Sequence, residues 1–235
     1  MSESEIFANR FELHEVLGEG GVARVYRATE IKSGVIVAIK MLLEKYAGAA
    51  KIRRRFMREA RAVRRLRHPN IVRLFEYGEN DAGVPFIVME LVEGVTLSNM
   101  HHRLKDVPSI CRLVNQVLAA LSLSHSNGIV HRDVKPQNVV VAGEDEKSIA
   151  KLLDFGFARL EDEDSDSDGT KSDAFGTPLY MSPEQVSNEN EVGAATDIYS
   201  VGIMLYELLS GEPPFTGAHG MAVALRHLTD EVPSL

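Results

Sequence analysis

The hydrophobic pattern of the chain changes near Gly94, and this change most constrains what the chain can fold into. Before it, short runs of alternating or β-branched residues are separated by glycines and turns, which predicts strands. These runs cover residues 11–17, 23–28, 35–41, 71–76 and 86–91. After it, apolar residues recur at helical spacing over residues 109–126 and 196–209. We therefore expect an α+β fold, with a small antiparallel β lobe in residues 1–92 and a larger, mainly helical lobe in residues 93–235.

One helix is predicted inside the β-rich part. Over residues 52–66 apolar side chains recur every three or four positions, and the opposite face is strongly basic. The arginines of that face are Arg53, Arg54, Arg55, Arg58, Arg61, Arg64 and Arg65. Pro69 predicts that the helix ends before it, because proline disfavours helical geometry in the preceding residue.

Composition narrows the class of protein. The formal net charge of −8 argues against bulk binding of nucleic acid. Cys111 is the only cysteine, so it cannot form an internal disulfide, and a reducing compartment fits. The first ten residues lack the apolar core of a signal peptide, and no apolar stretch approaches the roughly 20 residues that span a bilayer. These features predict a cytoplasmic domain without a membrane segment, although a longer parent protein could carry an anchor.

The string HRDVKPQN at residues 131–138, which we call the 131–138 loop, points most strongly to chemistry. The Asp133 carboxylate can accept or orient a hydroxyl proton, and Lys135 brings positive charge next to it. Asn138 offers a neutral oxygen to a hard cation, and Asp154, in the later Asp-Phe-Gly, offers a second ligand. One proton acceptor and two cation ligands at these spacings predict phosphoryl transfer.

Two features of the β-rich part fit the same chemistry. Residues 18–25, which we call the glycine-rich loop, lie between two predicted strands, where glycines let backbone N–H groups approach phosphate oxygens. Lys40 ends the next strand and is placed to bind phosphates if Glu59 holds it. Each feature alone also has a plain interpretation: a simple turn, a lysine that reaches solvent, and a helical i,i+4 partner for Arg55.

Taken together, these motifs resemble those of Hanks-type serine/threonine protein kinases, most closely the bacterial members, over residues 11–228. The order is intact: glycine-rich loop, Val-Ala-Ile-Lys ending at Lys40, His-Arg-Asp ending at Asp133, Asp-Phe-Gly starting at Asp154, then Ser-Pro-Glu ending at Glu184. The resemblance implies a two-lobed enzyme that transfers the γ-phosphoryl group of Mg·ATP to serine or threonine hydroxyls of proteins. Lys135 and the Gly-Thr-Pro before Ser-Pro-Glu resemble serine/threonine rather than tyrosine kinases.

The resemblance also implies a role for individual residues. The catalytic group is Asp133 as base with Lys135, Lys40, Glu59 and Thr177. The ATP-binding group is Leu17, Gly18, Glu19, Gly20, Gly21, Val22, Ala23, Arg24, Val25, Ala38, Lys40, Met89, Glu90, Val92 and Val140. The metal ligands are Asn138 and Asp154, for Mg²⁺ with Mn²⁺ as an alternative. A column of apolar side chains comprises Val63, Leu74, His131 and Phe155, anchored by Asp197.

Regulation is implied at Arg132, Thr170 and Ser172, since in similar kinases the arginine before the base receives a phosphate from the segment after Asp-Phe-Gly. That segment carries six carboxylates at residues 161–168. They could attract Arg55 and its basic neighbours and so hold Glu59 toward Lys40; the alternative is a solvated loop beside a solvated helix.

The sequence departs from the family pattern in three places. Ala23 replaces the usual third loop glycine, and Ser182 replaces a commoner alanine. The family pattern continues beyond Leu235 to an arginine that pairs with the glutamate at position 184, so we expect a C-terminally truncated domain of reduced stability. Two other functions are weighed: a pseudokinase that binds ATP without catalysis, and a dinucleotide oxidoreductase, which the strand after the glycine-rich loop disfavours. The sequence predicts no nucleic-acid partner and leaves the oligomeric state and the protein substrate open.

Overall fold

The computed structural model describes residues 5–46, 48–100, 106–155, 178–187 and 192–235. The chain divides into two compact units, Met1–Glu93 and Gly94–Leu235. We call them the first and the second unit and describe each by itself.

The first unit is an antiparallel sheet of six strands. The strands are β1 (Glu5–Phe7), β2 (Phe11–Glu19), β3 (Ala23–Glu30), β4 (Ile36–Leu42), β5 (Leu74–Glu79) and β6 (Pro85–Glu90). Their order in the sheet is β1-β2-β3-β4-β6-β5, and all neighbours are antiparallel. Five of the six strands correspond to predicted runs. Strand β1 was not predicted, and β5 begins three residues later than expected.

Helix α1 (Ala50–Val63) is the helix predicted in the β-rich part. It buries Phe56, Ala60 and Val63, which is the apolar stripe read from the sequence. The predicted end at residue 66 was wrong, because the chain leaves helical geometry after Val63 and turns before Pro69. A 3₁₀ turn, Glu44–Tyr46, precedes the helix.

Alternation along β4 separates two environments. Val37 and Ile39 join a hydrophobic cluster with Phe11 and Phe86 on one face of the sheet. Because successive side chains of a strand point to opposite faces, Ala38 and Lys40 lie on the other face. The position of Lys40 in the strand therefore directs it away from the hydrophobic cluster.

The second unit is mainly helical. Its helices are α2 (Leu97–Met100), α3 (Val107–Ser126), α4 (Pro183–Val186), α5 (Ala194–Ser210) and α6 (Gly220–Thr229). A small antiparallel sheet has the order β7 (Val95–Thr96), β8 (Val139–Ala142) and β9 (Ile149–Leu152). The short elements β7 and α2 were not predicted, whereas α3 and α5 match predicted segments within two residues.

Helix α3 forms the centre of the second unit, where it packs against α5 and β9. Its side-chain cap is Asp106, which accepts a hydrogen bond from the Ser109 backbone N–H at 2.8 Å. The helix ends at Ser126, where the helical spacing of the sequence also ends, and Gly128 follows with a φ of 71° that suits glycine. The single cysteine, Cys111, lies on an exposed position of α3.

Helix α3 also bears on the expectation that the chain carries no membrane segment. In the described part of the chain it is the helix whose length and composition would allow it to cross a membrane. Its residues Ile110, Leu113 and Val117 are buried against the rest of the second unit. Core helices of this kind satisfy the same criteria, so the indication of a membrane span is weak.

Candidate active site

The 131–138 loop follows α3 and closes in a 3₁₀ turn, Pro136–Asn138, that leads directly into β8. It brings three predicted site residues together. Lys135 Nζ lies 2.8 Å from Asp133 Oδ2. Asn138 donates from Nδ2 to the same Asp133 oxygen at 2.9 Å and to the Asp133 backbone oxygen at 2.8 Å. Because the amide nitrogen of Asn138 is engaged by Asp133, Oδ1 is the atom of Asn138 that can bind a cation.

Asp197, in the first turn of α5, holds the backbone at the start of this loop. The side chain of Asp197 is fully buried. Its carboxylate accepts the His131 N–H at 2.8 Å and the Arg132 N–H at 2.7 Å. The third contact is His125 Nε2, which lies 2.7 Å from Oδ2. Three donors satisfy the buried charge of Asp197, so hydrogen bonds to a fully buried carboxylate fix the start of the loop.

The ring of His131 links the loop to the segment after β9. Burial lowers the pKa of His131, although the charge of Asp197 opposes this, so the ring is neutral. Nδ1 accepts the Asp133 backbone N–H at 3.3 Å, and therefore Nε2 carries the proton and donates to the Leu153 oxygen at 2.8 Å. The ring also packs on Phe155, with centroids 4.7 Å apart. This is the second-unit half of the predicted apolar column.

Asp154, the second predicted metal ligand, follows Leu153 and has a φ of 39°, in the left-handed region. The Leu153 N–H donates to the Asn138 backbone oxygen at 2.8 Å. This bond ties the two segments that carry the predicted ligands. Two hard oxygen ligands fit Mg²⁺, which usually takes one or two carboxylates together with substrate phosphates and water. Among the described residues, no group of three or more histidine, cysteine or acidic side chains forms a metal cluster.

In the first unit, the glycine-rich loop is the turn of the β2–β3 hairpin. Gly18 pairs with Val25 and Glu19 with Arg24, and the Gly20 N–H donates to the Ala23 oxygen at 2.8 Å. Glu19 and Arg24 also form an exposed ion pair at 2.6 Å. The hydrogen bond of Arg24 to the Tyr26 hydroxyl, together with its bond to Glu19, raises the pKa of Arg24.

The glycines of this loop are not explained by the packing of the chain itself. A Cβ atom at Gly18 or Gly21 would meet nothing within 4 Å, and at Gly20 it would make only an ordinary contact. None of the three has a positive φ. The space that side chains would fill is open, which fits a ligand that approaches the backbone.

Four predicted ATP-binding side chains lie on one face of the sheet. Ala38 is directly opposite Met89, and Val25 is directly opposite Lys40. Directly paired residues of antiparallel strands share a face, as do residues two apart in one strand. Lys40 is only 7% exposed. Glu90 lies next to Met89 in β6, where its backbone N–H donates to the Arg73 oxygen at 2.8 Å.

Glu59 lies on α1 with its carboxylate 3.6 Å from Arg55 Nε, which is the helical i,i+4 contact weighed above. The pairing of Glu59 with Lys40 stays a prediction. Arg55, the proposed attachment point for the acidic run, is 18% exposed at its side chain, so the neighbouring exposed arginines Arg54, Arg58 and Arg61 are better placed for an outside anion.

The remaining predicted ATP-binding residues are divided between the two units. Leu17 directly precedes the glycine-rich loop, Val22 lies within it, and Val92 is half-buried near the end of the first unit. Val140 is buried in β8, where it pairs with Thr96. A Cβ atom at Gly94 would clash with the Val141 backbone oxygen, so the glycine is required by the close approach of these two backbone segments.

Several predicted residues lie outside the described part of the chain. They are Gly156 of Asp-Phe-Gly, Thr170, Ser172, Thr177 and the acidic run at residues 161–168. Arg132 is described and half-buried. Its regulatory role stays a prediction.

Glu184, expected to lack a partner, accepts a hydrogen bond from the Thr196 hydroxyl at 2.5 Å. Burial opposes its ionisation, but hydrogen bonds from Thr196, its own backbone and Ser182 outweigh burial and lower the pKa of Glu184. A hydroxyl on α5 therefore stabilises this carboxylate in the described structure.

Sequence reasoning missed two residues that touch the site. His125 contacts Asp197, and Gln185 donates to the Arg132 backbone oxygen at 2.9 Å. The position of His125 in the last turn of the helix before the 131–138 loop was a usable signal. Gln185 gave none, because its partner lies 53 residues away.

Comparison with known proteins agrees with this geometry. A model of the protein kinase domain matches residues 11–233. The chain is 36% identical to serine/threonine-protein kinase pkn3 of Myxococcus xanthus, over 96% of this chain and 42% of that protein. It is 39% identical to serine/threonine-protein kinase PknB of Mycobacterium tuberculosis, over 98% of this chain and 37% of that protein. The chain thus spans well under half the length of these curated relatives.

Solved structures give the same result. A crystal structure of the Mycobacterium tuberculosis PknI kinase domain, a C20A_R136A double mutant, is similar with a TM-score of 0.72 at 27% identity. The match covers 93% of this chain and 81% of that chain. The two-unit α+β architecture is the protein kinase fold, and this chain belongs to the protein kinase domain family.

Proposed function

We propose that the chain is an ATP-dependent protein kinase that phosphorylates serine and threonine hydroxyls. The observation that supports this most is the group formed by Asp133, Lys135 and Asn138, held by the fully buried Asp197. Family membership and the names of the relatives support the acceptor class.

Asp133 is proposed as the group that accepts the proton of the acceptor hydroxyl. Lys135, at 2.8 Å, supplies positive charge beside it, where the transferring phosphoryl group gathers negative charge. Asn138 orients the Asp133 carboxylate through its amide nitrogen. Preorganised groups of this kind need little rearrangement during the reaction, which is how positioning contributes to the rate.

Asn138 Oδ1 and the Asp154 carboxylate are proposed to hold the divalent cation, Mg²⁺ with Mn²⁺ as the alternative, because hard oxygen ligands suit both ions. When bound, the cation would neutralise phosphate charge. In the first unit, the open glycine-rich loop is proposed to cover the phosphates, Val25 and Ala38 to contact the adenine, and Met89 to gate the pocket behind it. Lys40 shares their face and is proposed to bind the phosphates.

The setting of the enzyme is also a proposal. A free thiol exposed at Cys111 is compatible with a reducing compartment such as the cytoplasm. Protein segments carrying serine or threonine are the proposed substrates.

The test is transfer of labelled phosphate from Mg·ATP to a generic basic protein, with phosphoamino-acid analysis of the product. Asp133→Asn should lower kcat about 10²–10⁴-fold while the affinity for ATP stays near that of the unaltered protein. The matched control is Asp106→Asn, the same chemical change at the cap of α3, where asparagine caps about as well. Full activity in Asp133→Asn would refute the assignment, and phosphotyrosine as the main product would refute the acceptor class.

A further inference from the structure

Gln185, on α4, uses both ends of its side-chain amide. Oε1 accepts the Ser182 backbone N–H at 3.1 Å, which completes a capping box at the start of the helix. Nε2 donates to the Arg132 backbone oxygen at 2.9 Å. One side chain therefore joins α4 to the residue directly before Asp133.

The backbone it reaches is in an unusual conformation. Arg132 has a φ of 66°, in the left-handed region that residues with a side chain rarely adopt. Its N–H is bound by Asp197 Oδ1 at 2.7 Å, and its carbonyl is bound by Gln185. The two peptide groups that flank Arg132 are thus held by side chains from two different helices. Such conformations persist when the surrounding structure fixes them.

We propose that Gln185 is a positioning residue for Asp133. The carbonyl that it holds belongs to the peptide bond joining Arg132 to Asp133, so it sets the orientation of the Asp133 backbone and, with it, the direction of the carboxylate. The inference rests on the proposed function, since it assigns Asp133 as the proton acceptor. It follows that the placement of α4 is transmitted to Asp133 through one hydrogen bond.

The chain offers a matched control in Gln116, on α3. Its Nε2 donates to the Ser148 backbone oxygen at 3.1 Å, and its Oε1 accepts the Ala150 backbone N–H at 2.8 Å. Gln116 therefore makes the same pair of backbone hydrogen bonds as Gln185, in the same unit, but to the segment at β9 instead of the 131–138 loop. Removing its amide tests the loss of such a pair without touching Asp133.

The first experiment compares Gln185→Met with Gln116→Met, since methionine is of similar size and lacks both hydrogen bonds. Gln185→Met should lower kcat by roughly tenfold or more, with KM for ATP changed less than about twofold, because small misplacement of a reacting group is costly. Gln116→Met should leave kcat within about twofold. Unchanged kcat in Gln185→Met, or an equal loss in both variants, would overturn the proposal.

The second experiment uses Gln185→Glu and a pH profile. An ionised carboxyl at this position has no proton to donate and faces the Arg132 oxygen, whereas the protonated carboxyl can donate as the amide does. The ratio of variant kcat to unaltered kcat should therefore rise as the pH is lowered from about 7 to about 5, toward the ordinary pKa of a glutamate, about 4.3. A merely structural loss would give a ratio that stays flat with pH, and that result would count against the proposal.

A readout that needs no catalysis separates this inference from the proposed function. Amide hydrogen exchange over residues 129–135 should increase in Gln185→Met and stay unchanged in Gln116→Met. If the unaltered protein transfers no phosphate but the exchange difference is present, the proposed function fails and the positioning contact stands. If exchange over these residues is equal in the two variants, the positioning contact fails whatever the activity.

Discussion

The 131–138 loop and the glycine-rich loop are fixed in opposite ways. The first is tied by Asp197, a carboxylate with no exposed surface that accepts hydrogen bonds from two backbone groups and contacts one histidine. The second is closed by Glu19 and Arg24, an ion pair with both side chains more than a third exposed. Buried charge-assisted bonds are not screened by salt, whereas exposed pairs are. The difference indicates that the loop carrying Asp133 must keep one geometry, while the loop proposed to cover the phosphates can open.

The largest effect on stability and activity should come from a substitution of Asp197, the buried residue that holds the 131–138 loop. Asp197→Asn replaces one carboxylate oxygen by an NH2 group, which donates and cannot accept. The side chain can then accept the backbone hydrogen bond of His131 or that of Arg132, but not both. Disrupting such a buried charged network costs about 3–5 kcal/mol of unfolding free energy. We expect a loss of that size in urea denaturation and a fall in kcat of at least about a hundredfold.

Asp230→Asn is the control, because Asp230 is exposed and faces Arg226 at 3.6 Å. Its unfolding free energy should stay within about 0.5 kcal/mol of the unaltered protein. Equal effects at positions 197 and 230 would show that the burial of Asp197 has no special importance.

As the pH is lowered, the second unit should lose stability at a higher pH than the glycine-rich loop does. Burial lowers the pKa of both His131 and His227 in the folded protein. Between the unfolded value, about 6.5, and the lower folded values, the unfolded chain binds protons that the folded chain excludes. Stability is therefore complete above pH 6.5 and is lost as the pH falls, by up to about 1.4 kcal/mol per pH unit for each histidine.

Urea denaturation at several pH values measures this slope, and His227→Gln should make it shallower. Hydrogen exchange, corrected for the intrinsic pH dependence of the chemistry, should show the acid effect in residues 129–135 and little of it in residues 18–25. Equal acid sensitivity in the two loops would remove the contrast between them.

The smallest effect is expected from removing the exposed ion pair between Glu19 and Arg24 in the glycine-rich loop. Glu19→Gln removes the partner of Arg24 across the glycine-rich loop. We expect no measurable change in the unfolding midpoint and a change in KM for ATP of less than about threefold, because exposed pairs contribute little. The change should disappear at high ionic strength. A large effect that persists in concentrated salt would mean that this loop, too, depends on a fixed contact.

The sequence predicted the elements of the fold better than the contacts of the site. Periodicity was sufficient for α1 and α3, because their apolar stripes face a single packed side. The three-residue strand β1 was missed, since its pairing with β2 depends on a turn that the hydrophobic pattern does not reveal. The residue types of the 131–138 loop predicted its chemistry, and its own contacts between Asp133, Lys135 and Asn138 are local.

What holds that loop depends on residues far away in the chain. Asp197 lies 65 and 66 residues from the two backbone groups that it accepts. Glu184 was expected to lack the arginine that pairs with it in the family, and the structure brings the Thr196 hydroxyl into contact with it. A hydrogen bond between distant segments is decided by tertiary packing, and a single sequence considered alone gives no signal for it.

The exposed Cys111 gives this protein a single chemical handle for spectroscopy. It lies 14 positions before His125 on α3, which at 1.5 Å per residue is about 21 Å along the helix axis from the Asp197 network. A nitroxide attached there would be remote enough to leave the network undisturbed. A paramagnetic ion such as Mn²⁺ would couple magnetically to it, so the ion that Asn138 and Asp154 are proposed to hold can be located as a distance from one thiol, in solution and without a crystal.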